Sequence, residues 1–333
     1  VYAATADTIT GDAPQAGTLQ DTPPLPLRAG GEEVTQLAPG MEVRLEAPKA
    51  KNFFLVYVPE DYTPERPWPI IFCYHGYRGR ATTSPFMQAT DGQGFIIVGM
   101  NYATEEYHLR LGVQRTGPER AFFDEALAIV SARLNVDPTL VFMGGFSQGG
   151  YSTTVLGEQI LDKLAGLMVL GGGRTYVDGY PPPAKQIVGK AIFIGVGEKD
   201  AVHNPRAKNA VDIYKSWGAE VTFEEWSGVG HSFDRAKSTK LHDWLLANGP
   251  LKHVQSKLAE AREAEKAGRF GIAFTLYHQL AQVSQTDASC IEAATAADVL
   301  TQRVEAQLAE AEKAMAEKPY SEATKFLGQI AKV

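Results

Sequence analysis

Ser147 sits between two glycine pairs in Val141-Phe142-Met143-Gly144-Gly145-Phe146-Ser147-Gln148-Gly149-Gly150-Tyr151. A serine hydroxyl is a poor nucleophile until a base takes its proton, and that base needs an orienting carboxylate. The stretch follows the apolar run Leu140–Met143 and opens a helical pattern, so Gly145-Phe146-Ser147-Gln148-Gly149 is G-x-S-x-G at a strand-to-helix turn. Such a turn forces the serine into a strained conformation, and side chains beside it would strike the neighbouring strand and helix. The hydroxyl is then exposed at the C-terminal edge of a sheet, beside a helix N-terminus that favours developing negative charge. The plainer reading is a glycine-rich turn with a capping serine.

A base and an acid follow in the expected chain order of serine, acid, histidine. His231 lies in Ser227-Gly228-Val229-Gly230-His231-Ser232-Phe233, after the last strand pattern, where small residues let the loop carry an imidazole over the sheet edge. His242, His253 and His278 fall on helical patterns, and His108 and His203 on loops without an assigned role. Asp200 follows the run Ala191–Val196 through Gly197-Glu198-Lys199 and is the favoured acid; Asp178, after the preceding strand, is the alternative. Glu198 is expected to point to solvent, and the spacing of Glu198, Asp200 and His203 matches no metal-ligand pattern. No metal or other cofactor is expected.

Stabilising an oxyanion is often the largest single catalytic contribution. Tyr74-His75-Gly76-Tyr77-Arg78-Gly79 follows the run Ile70–Tyr74, so the main-chain amides of Tyr77 and Gln148 are assigned as donors, with His75 bracing the loop. Tyr77, Tyr102, Tyr107, Tyr151, Tyr176 and Tyr180 are candidates for an aromatic cleft, with 171–189 as its rim. Arg78 and Arg174 are candidates for an acidic substrate group, although solvated arginines are the simpler reading.

These residues must be positioned by the elements between them. Strand patterns fall at Met41–Ala47, Asn52–Val58, Ile70–Tyr74, Phe95–Met100, Leu140–Met143, Leu167–Leu170, Ala191–Val196 and Val221–Trp226. Helical patterns run over Pro118–Leu134, Ser147 to about Leu161, Pro205–Trp217 and Arg235–Ala247. Runs such as AIFIGV and PIIFCY are apolar on both faces, which predicts an α/β fold with a mostly parallel sheet covered by helices on both sides. The first two strands form an antiparallel start.

GFSQGG at 145–150 and GVGHS at 228–232 resemble the α/β-hydrolase serine esterases of the phospholipase/carboxylesterase and acyl-protein thioesterase branch. The YHGYRG loop and Leu134-Asn135-Val136-Asp137-Pro138 are similar to polyester depolymerases and feruloyl esterases. The resemblance covers roughly 41–249 and implies Ser147 as nucleophile, Asp200 as acid and His231 as base, in hydrolysis of small-molecule or polymer-linked carboxylic esters. A thioesterase and a serine peptidase are the alternatives, and an inert scaffold serving the tail is a third. Two features depart from the pattern: GEKDAVHNP, where relatives place Val-Pro together, and the bulky Tyr77-Arg78 pair.

From Leu251 onward strand signals vanish. LAEAREAEKAGRFGIAFTLYHQLAQV from Leu258 and LAEAEKAMAEKPYSEATKFLGQIAKV from Leu308 form a repeat, read as two helical hairpins turning at Gly268 and at Lys318-Pro319. The pattern weakly resembles a tetratricopeptide hairpin. A small all-α domain over 251–333 is expected, with a structural role or a role in binding a protein partner or a second copy. Residues 1–40, whose only cation is Arg28, read as a flexible leader, as expected of an exported protein. The net charge of −7 argues against nucleic acid, and no apolar run is long enough to span a membrane. Two cysteines, Cys73 and Cys290, in different domains give no disulfide framework.

Overall fold

The computed structural model describes residues 37–103, 116–174, 187–285 and 287–317. The strands are β1 Glu42–Ala47, β2 Asn52–Tyr57, β3 Trp68–Tyr74, β4 Ile96–Met100, β5 Val136–Phe146, β6 Gly166–Leu170, β7 Ala191–Gly197 and β8 Glu220–Trp226. They form one sheet in the order β1-β2-β4-β3-β5-β6-β7-β8. β2 pairs antiparallel with β1 and β4, and every later pairing is parallel, giving a mostly parallel α/β sheet.

Burial explains the uninterrupted apolar runs. Every residue of β3, β4, β6 and β7 is buried, because helices cover both faces. On one face α2 (Gly117–Ser131) and α4 (Asn204–Ser216) contribute Phe122, Phe123 and Tyr214 to the core. On the other, α1 (Phe86–Ala89) and α5 (Lys240–Asn248) contribute Phe86, Trp244 and Leu245.

Three boundaries differ from the sequence expectation by four or five residues. β5 begins at Val136 rather than Leu140, with a register shift against β3 between Trp68 and Ile70. Pro138 has no N–H for a regular ladder, and an irregularity is where a strand tolerates it. The helix after Ser147, α3, is Gln148–Gly157 and stops short of Leu161, where a separate 3-10 turn begins. α5 starts at Lys240 instead of Arg235, because the buried Glu224 carboxylate accepts the main-chain N–H groups of Thr239 (2.8 Å) and Lys240 (2.9 Å). That carboxylate satisfies donors which a helix start otherwise leaves open.

Three further helices follow: α6 Val254–Lys266, α7 Phe270–Ala281 and α8 Ala288–Glu317. α6 and α7 make the first expected hairpin, turning at Gly268 (φ +71°). The second expected turn, Lys318-Pro319, lies outside the described residues. Ala261, Ala264, Ala273 and Leu280 are buried in a cluster of the three helices' own. The Gln279 amide donates to the Glu65 carbonyl (3.0 Å), and Thr63 Oγ1 donates to Gln282 Oε1 (3.1 Å). The helices therefore meet the chain leading into β3, at the N-terminal edge of the parallel strands. Among the described residues no helix is long and apolar enough to cross a membrane.

Candidate active site

Parallel strands place their following loops along one edge. Residues 75–79 follow β3, Ser147 follows β5, Asp200 follows β7 and His231 follows β8. The structure brings these four loops together at that edge.

Ser147 has φ +58° and ψ −120°, a conformation that costs a non-glycine residue about 1–3 kcal/mol. The glycines make it sterically possible. A Cβ on Gly149 would lie 1.9 Å from the Tyr74 carbonyl oxygen, and one on Gly145 would lie 2.5 Å from the same atom. The elbow thus presses on the end of β3. Gln148 opens α3, so its main-chain N–H belongs to a first turn without intrahelical acceptors. The Gly76 loop faces it: a Cβ there would lie 3.5 Å from Ser147 Cβ. Tyr77 is exposed beyond it, and Arg78 is exposed with φ +57°.

The Ser147 hydroxyl lies 2.8 Å from His231 Nε2, and His231 Nδ1 lies 2.5 Å from Asp200 Oδ2. Asp200 is 4% exposed whereas the His231 side chain is 39% exposed, so a buried carboxylate backs an imidazole that substrate can reach. The second Asp200 oxygen, Oδ1, accepts the His203 main-chain N–H at 3.0 Å.

The acid and histidine loops are tied to each other. Lys199 N–H donates to the Val229 carbonyl (2.8 Å), and the Glu198 carboxylate accepts the Gly228 N–H (2.7 Å) and the Ser227 hydroxyl (3.1 Å). These bonds hold the Glu198 carboxyl below its ordinary range, the Gly228 amide first. Glu198 is exposed, as expected, but it fastens the histidine loop as well.

His203, left without a role in the sequence, is the residue that reading missed. Its ring stacks on His231 with centroids 4.3 Å apart and planes 25° apart, and its Nδ1 is 3.0 Å from the Tyr151 hydroxyl. Burial, then the neighbouring His231 charge, pulls its pKa down to about 4. The one available signal was the departure GEKDAVHNP. Asp200, His203 and His231 offer potential ligand atoms within 4.8 Å of one another. The rings are face to face, however, so their in-plane lone pairs run side by side instead of converging as a metal site requires.

Other candidates take different places. Tyr151 is fully buried and reaches the site from beneath, through His203, so it does not line an open cleft. Tyr102 donates to the His75 carbonyl (2.8 Å) and accepts from Ser152 (3.1 Å), bracing the loop after β3. His75 also braces it, with Nδ1 2.8 Å from the Gly76 carbonyl. Arg174 is not solvated: it is buried, forms two bonds to Glu158 (2.9 and 2.8 Å) and lies 4.5 Å over the Trp217 ring. It is committed to the core and does not present its charge to a substrate. Tyr107, His108, Tyr176, Asp178 and Tyr180 lie outside the described residues. Of the small residues before His231, Gly228 is needed for its φ of +76°, whereas a Cβ on Gly230 meets nothing within 4 Å.

No family model matches the chain. Acyl-protein thioesterase 1 of Gibberella zeae is 27% identical over 99 residues, which are 28% of this chain and 42% of that protein. The chain thus spans less than half the length of the curated relative it matches. A Bacillus cereus carboxylesterase is similar with a TM-score of 0.47 and 17% identity, over 62% of this chain and 95% of that one. A phospholipase/carboxylesterase of Dyadobacter fermentans gives 0.43 and 19%, over 57% and 94%. The CE1 ferulic acid esterase of Anaeromyces mucronatus gives 0.43 and 14%, over 64% and 91%.

Proposed function

We propose that this chain is a serine hydrolase that cleaves carboxylic esters through an acyl-enzyme. One observation carries the reading: a strained Ser147 whose hydroxyl meets His231 Nε2, with His231 backed by the buried Asp200. Ser147 Oγ attacks the ester carbonyl carbon while its proton passes to His231 Nε2. Asp200 holds the imidazolium, and the tetrahedral oxyanion is taken by the main-chain N–H groups of Tyr77 and Gln148. Collapse expels the alcohol, which leaves with the proton from His231. Water then gives its proton to the same nitrogen, attacks the acyl-enzyme and releases the acid with Ser147 restored. Every proton returns, so the cycle is complete without a cofactor. His203 belongs to this reading as a positioning residue, because its ring limits rotation of His231 away from Ser147.

The exposed Tyr77 at the rim and the open side of His231 suit an ester carried by a larger body, an aryl or polymer-linked acyl group included. A thioester is the second reading, favoured by the likeness to the acyl-protein thioesterase of Gibberella zeae. The discriminating experiment is hydrolysis of a panel of aryl and alkyl esters, acetyl to long acyl, with a thioester and a peptide amide. Ester turnover that Ser147→Ala removes supports the proposal; faster thioester turnover selects the second reading. Turnover of the amide alone, or none, overturns both.

A further inference from the structure

The two main-chain donors assigned to the oxyanion sit on separate elements, Tyr77 on the loop after β3 and Gln148 at the start of α3. We propose that Tyr102 is a positioning residue for both, its hydroxyl joining the loop to the helix and fixing the gap between the donors. Resting on the ester-hydrolase reading above, this role needs no contact between Tyr102 and substrate.

The Tyr102 hydroxyl donates to the His75 carbonyl at 2.8 Å and accepts from Ser152 Oγ at 3.1 Å. Ser152 is buried and lies four residues along α3 from Gln148, on the same face of the helix. A single hydroxyl therefore ties the donor helix to the donor loop. Each of its two bonds polarises the other, which stiffens the chain of groups. Tyr102 is itself held in place. Asn52 Nδ2 donates to its carbonyl at 2.8 Å, and the His75 ring meets its ring edge-on with centroids 4.7 Å apart.

Peptide geometry decides what this brace aims. The C=O and N–H of one trans peptide point opposite ways, so fixing a carbonyl fixes the direction of the next residue's N–H. Tyr102 fixes the His75 carbonyl. The following carbonyl, of Gly76, is held by His75 Nδ1 at 2.8 Å and by the Gly79 N–H at 3.0 Å. A carbonyl only accepts, so Nδ1 carries the proton, and burial lowers the pKa of the ring and favours its neutral form. The Tyr77 N–H then points away from the turn. Gly76 stands against the nucleophile, since a Cβ on it would lie 3.5 Å from Ser147 Cβ and 4.0 Å from Ser147 Oγ. A Cβ on Gly79 would lie 3.0 Å from His75 Nδ1 and crowd the same set of bonds. His75 and Gly79 thus orient the Tyr77 donor within its loop, and Tyr102 sets that loop against α3.

The test compares wild type, Tyr102→Phe, Ser152→Ala and the double variant on a soluble aryl ester and on an aryl trifluoromethyl ketone. Ser147 Oγ adds to the ketone carbon, its proton passes to His231 Nε2, and the carbonyl oxygen becomes an oxyanion in the hole. Tyr102→Phe is expected to lower kcat about tenfold with KM within about twofold, and to weaken the ketone by a like factor. Ser152→Ala should cost about threefold in both readouts, and the double variant no more than Tyr102→Phe alone, because the two changes cut one relay. The midpoint of the acid limb of kcat/KM should stay in place, since the pairing of His231 with Asp200 is untouched. Thermal unfolding screens each variant, and where Tyr102→Phe does not fold, the loss of ketone affinity in Ser152→Ala decides alone. Unchanged kcat and ketone affinity in Tyr102→Phe, costs that add in the double variant, or a shifted pH midpoint overturns the proposal while leaving the esterase reading standing. Ester turnover that is absent in the wild type, or undiminished by Ser147→Ala, overturns the esterase reading and this role with it.

Discussion

The imidazole of His203 lies face to face with that of His231, 4.3 Å between centroids, while its main-chain N–H holds the far oxygen of Asp200. One residue therefore touches both members of the pair behind Ser147. With Phe146 also 5.0 Å from His231, the ring has little freedom to swing off the hydroxyl. Removing the stack with His203→Ala is expected to lower kcat about tenfold and leave KM within about twofold, since orientation rather than binding is lost. His203→Phe keeps a flat ring and should recover most of kcat. Equal loss in both variants would mean that the imidazole matters for something other than stacking.

The same residue sets a pH dependence of stability. His203 falls from an ordinary 6.5 to about 4 on folding. Between those values the unfolded chain binds a proton that the folded chain does not, so stability rises with pH across the window. The contribution is complete above about pH 6.5 and drains away as pH falls toward 4. Thermal midpoints measured from pH 4 to 7 should show a shallower acid limb in His203→Phe than in the wild type. Identical limbs would assign the acid sensitivity to other groups.

Backbone strain at Ser147 makes activity and stability pull in opposite directions. Ser147→Gly should raise unfolding free energy by about 1 kcal/mol, because glycine adopts φ +58° without strain. The same change should cut ester turnover by at least about a thousandfold. Thermal unfolding and a turnover assay on one preparation check both halves, and a less stable variant would contradict the strain argument.

Gly149 and Gly230 offer a paired test of what the flanking glycines do. An alanine at 149 drives a methyl into the Tyr74 carbonyl and should prevent correct folding or displace the elbow with loss of turnover. An alanine at 230 meets open space and should leave both stability and turnover close to wild type. Comparable damage at the two sites would argue against the steric account.

Two arginines that look alike in the sequence should behave differently. Arg174→Met takes the guanidinium away from the buried Glu158 carboxylate and leaves it the Tyr214 hydroxyl bond, which is expected to cost about 3–5 kcal/mol. Arg78 is exposed at the rim, so Arg78→Ala should spare stability and raise KM for carboxylate-bearing esters relative to neutral ones. Equal KM effects on both ester classes would remove Arg78 from substrate recognition.

The eight strands and the grouping of Ser147, Asp200 and His231 were legible because each rests on local pattern: doubly apolar runs, a glycine-flanked serine and loops directly after strands. What escaped depends on partners distant in the chain. Arg174 reads as a loop cation until Glu158, sixteen residues earlier, meets it in the core. The start of α5 is decided by Glu224 on β8, which no helix signal near Arg235 reveals. His203 gains meaning only when the loop after β8 lays His231 against it.

β5 begins beside the first turn of α6 and ends just before Ser147, so its 11 residues put about 33 Å of strand between those helices and the nucleophile. A surface or support that grips α6–α8 would accordingly hold the chain upright, with its mouth turned toward the medium. Immobilisation through those helices should preserve access for bulky substrates, whereas attachment along the loops after β3, β7 or β8 would turn the mouth against the support.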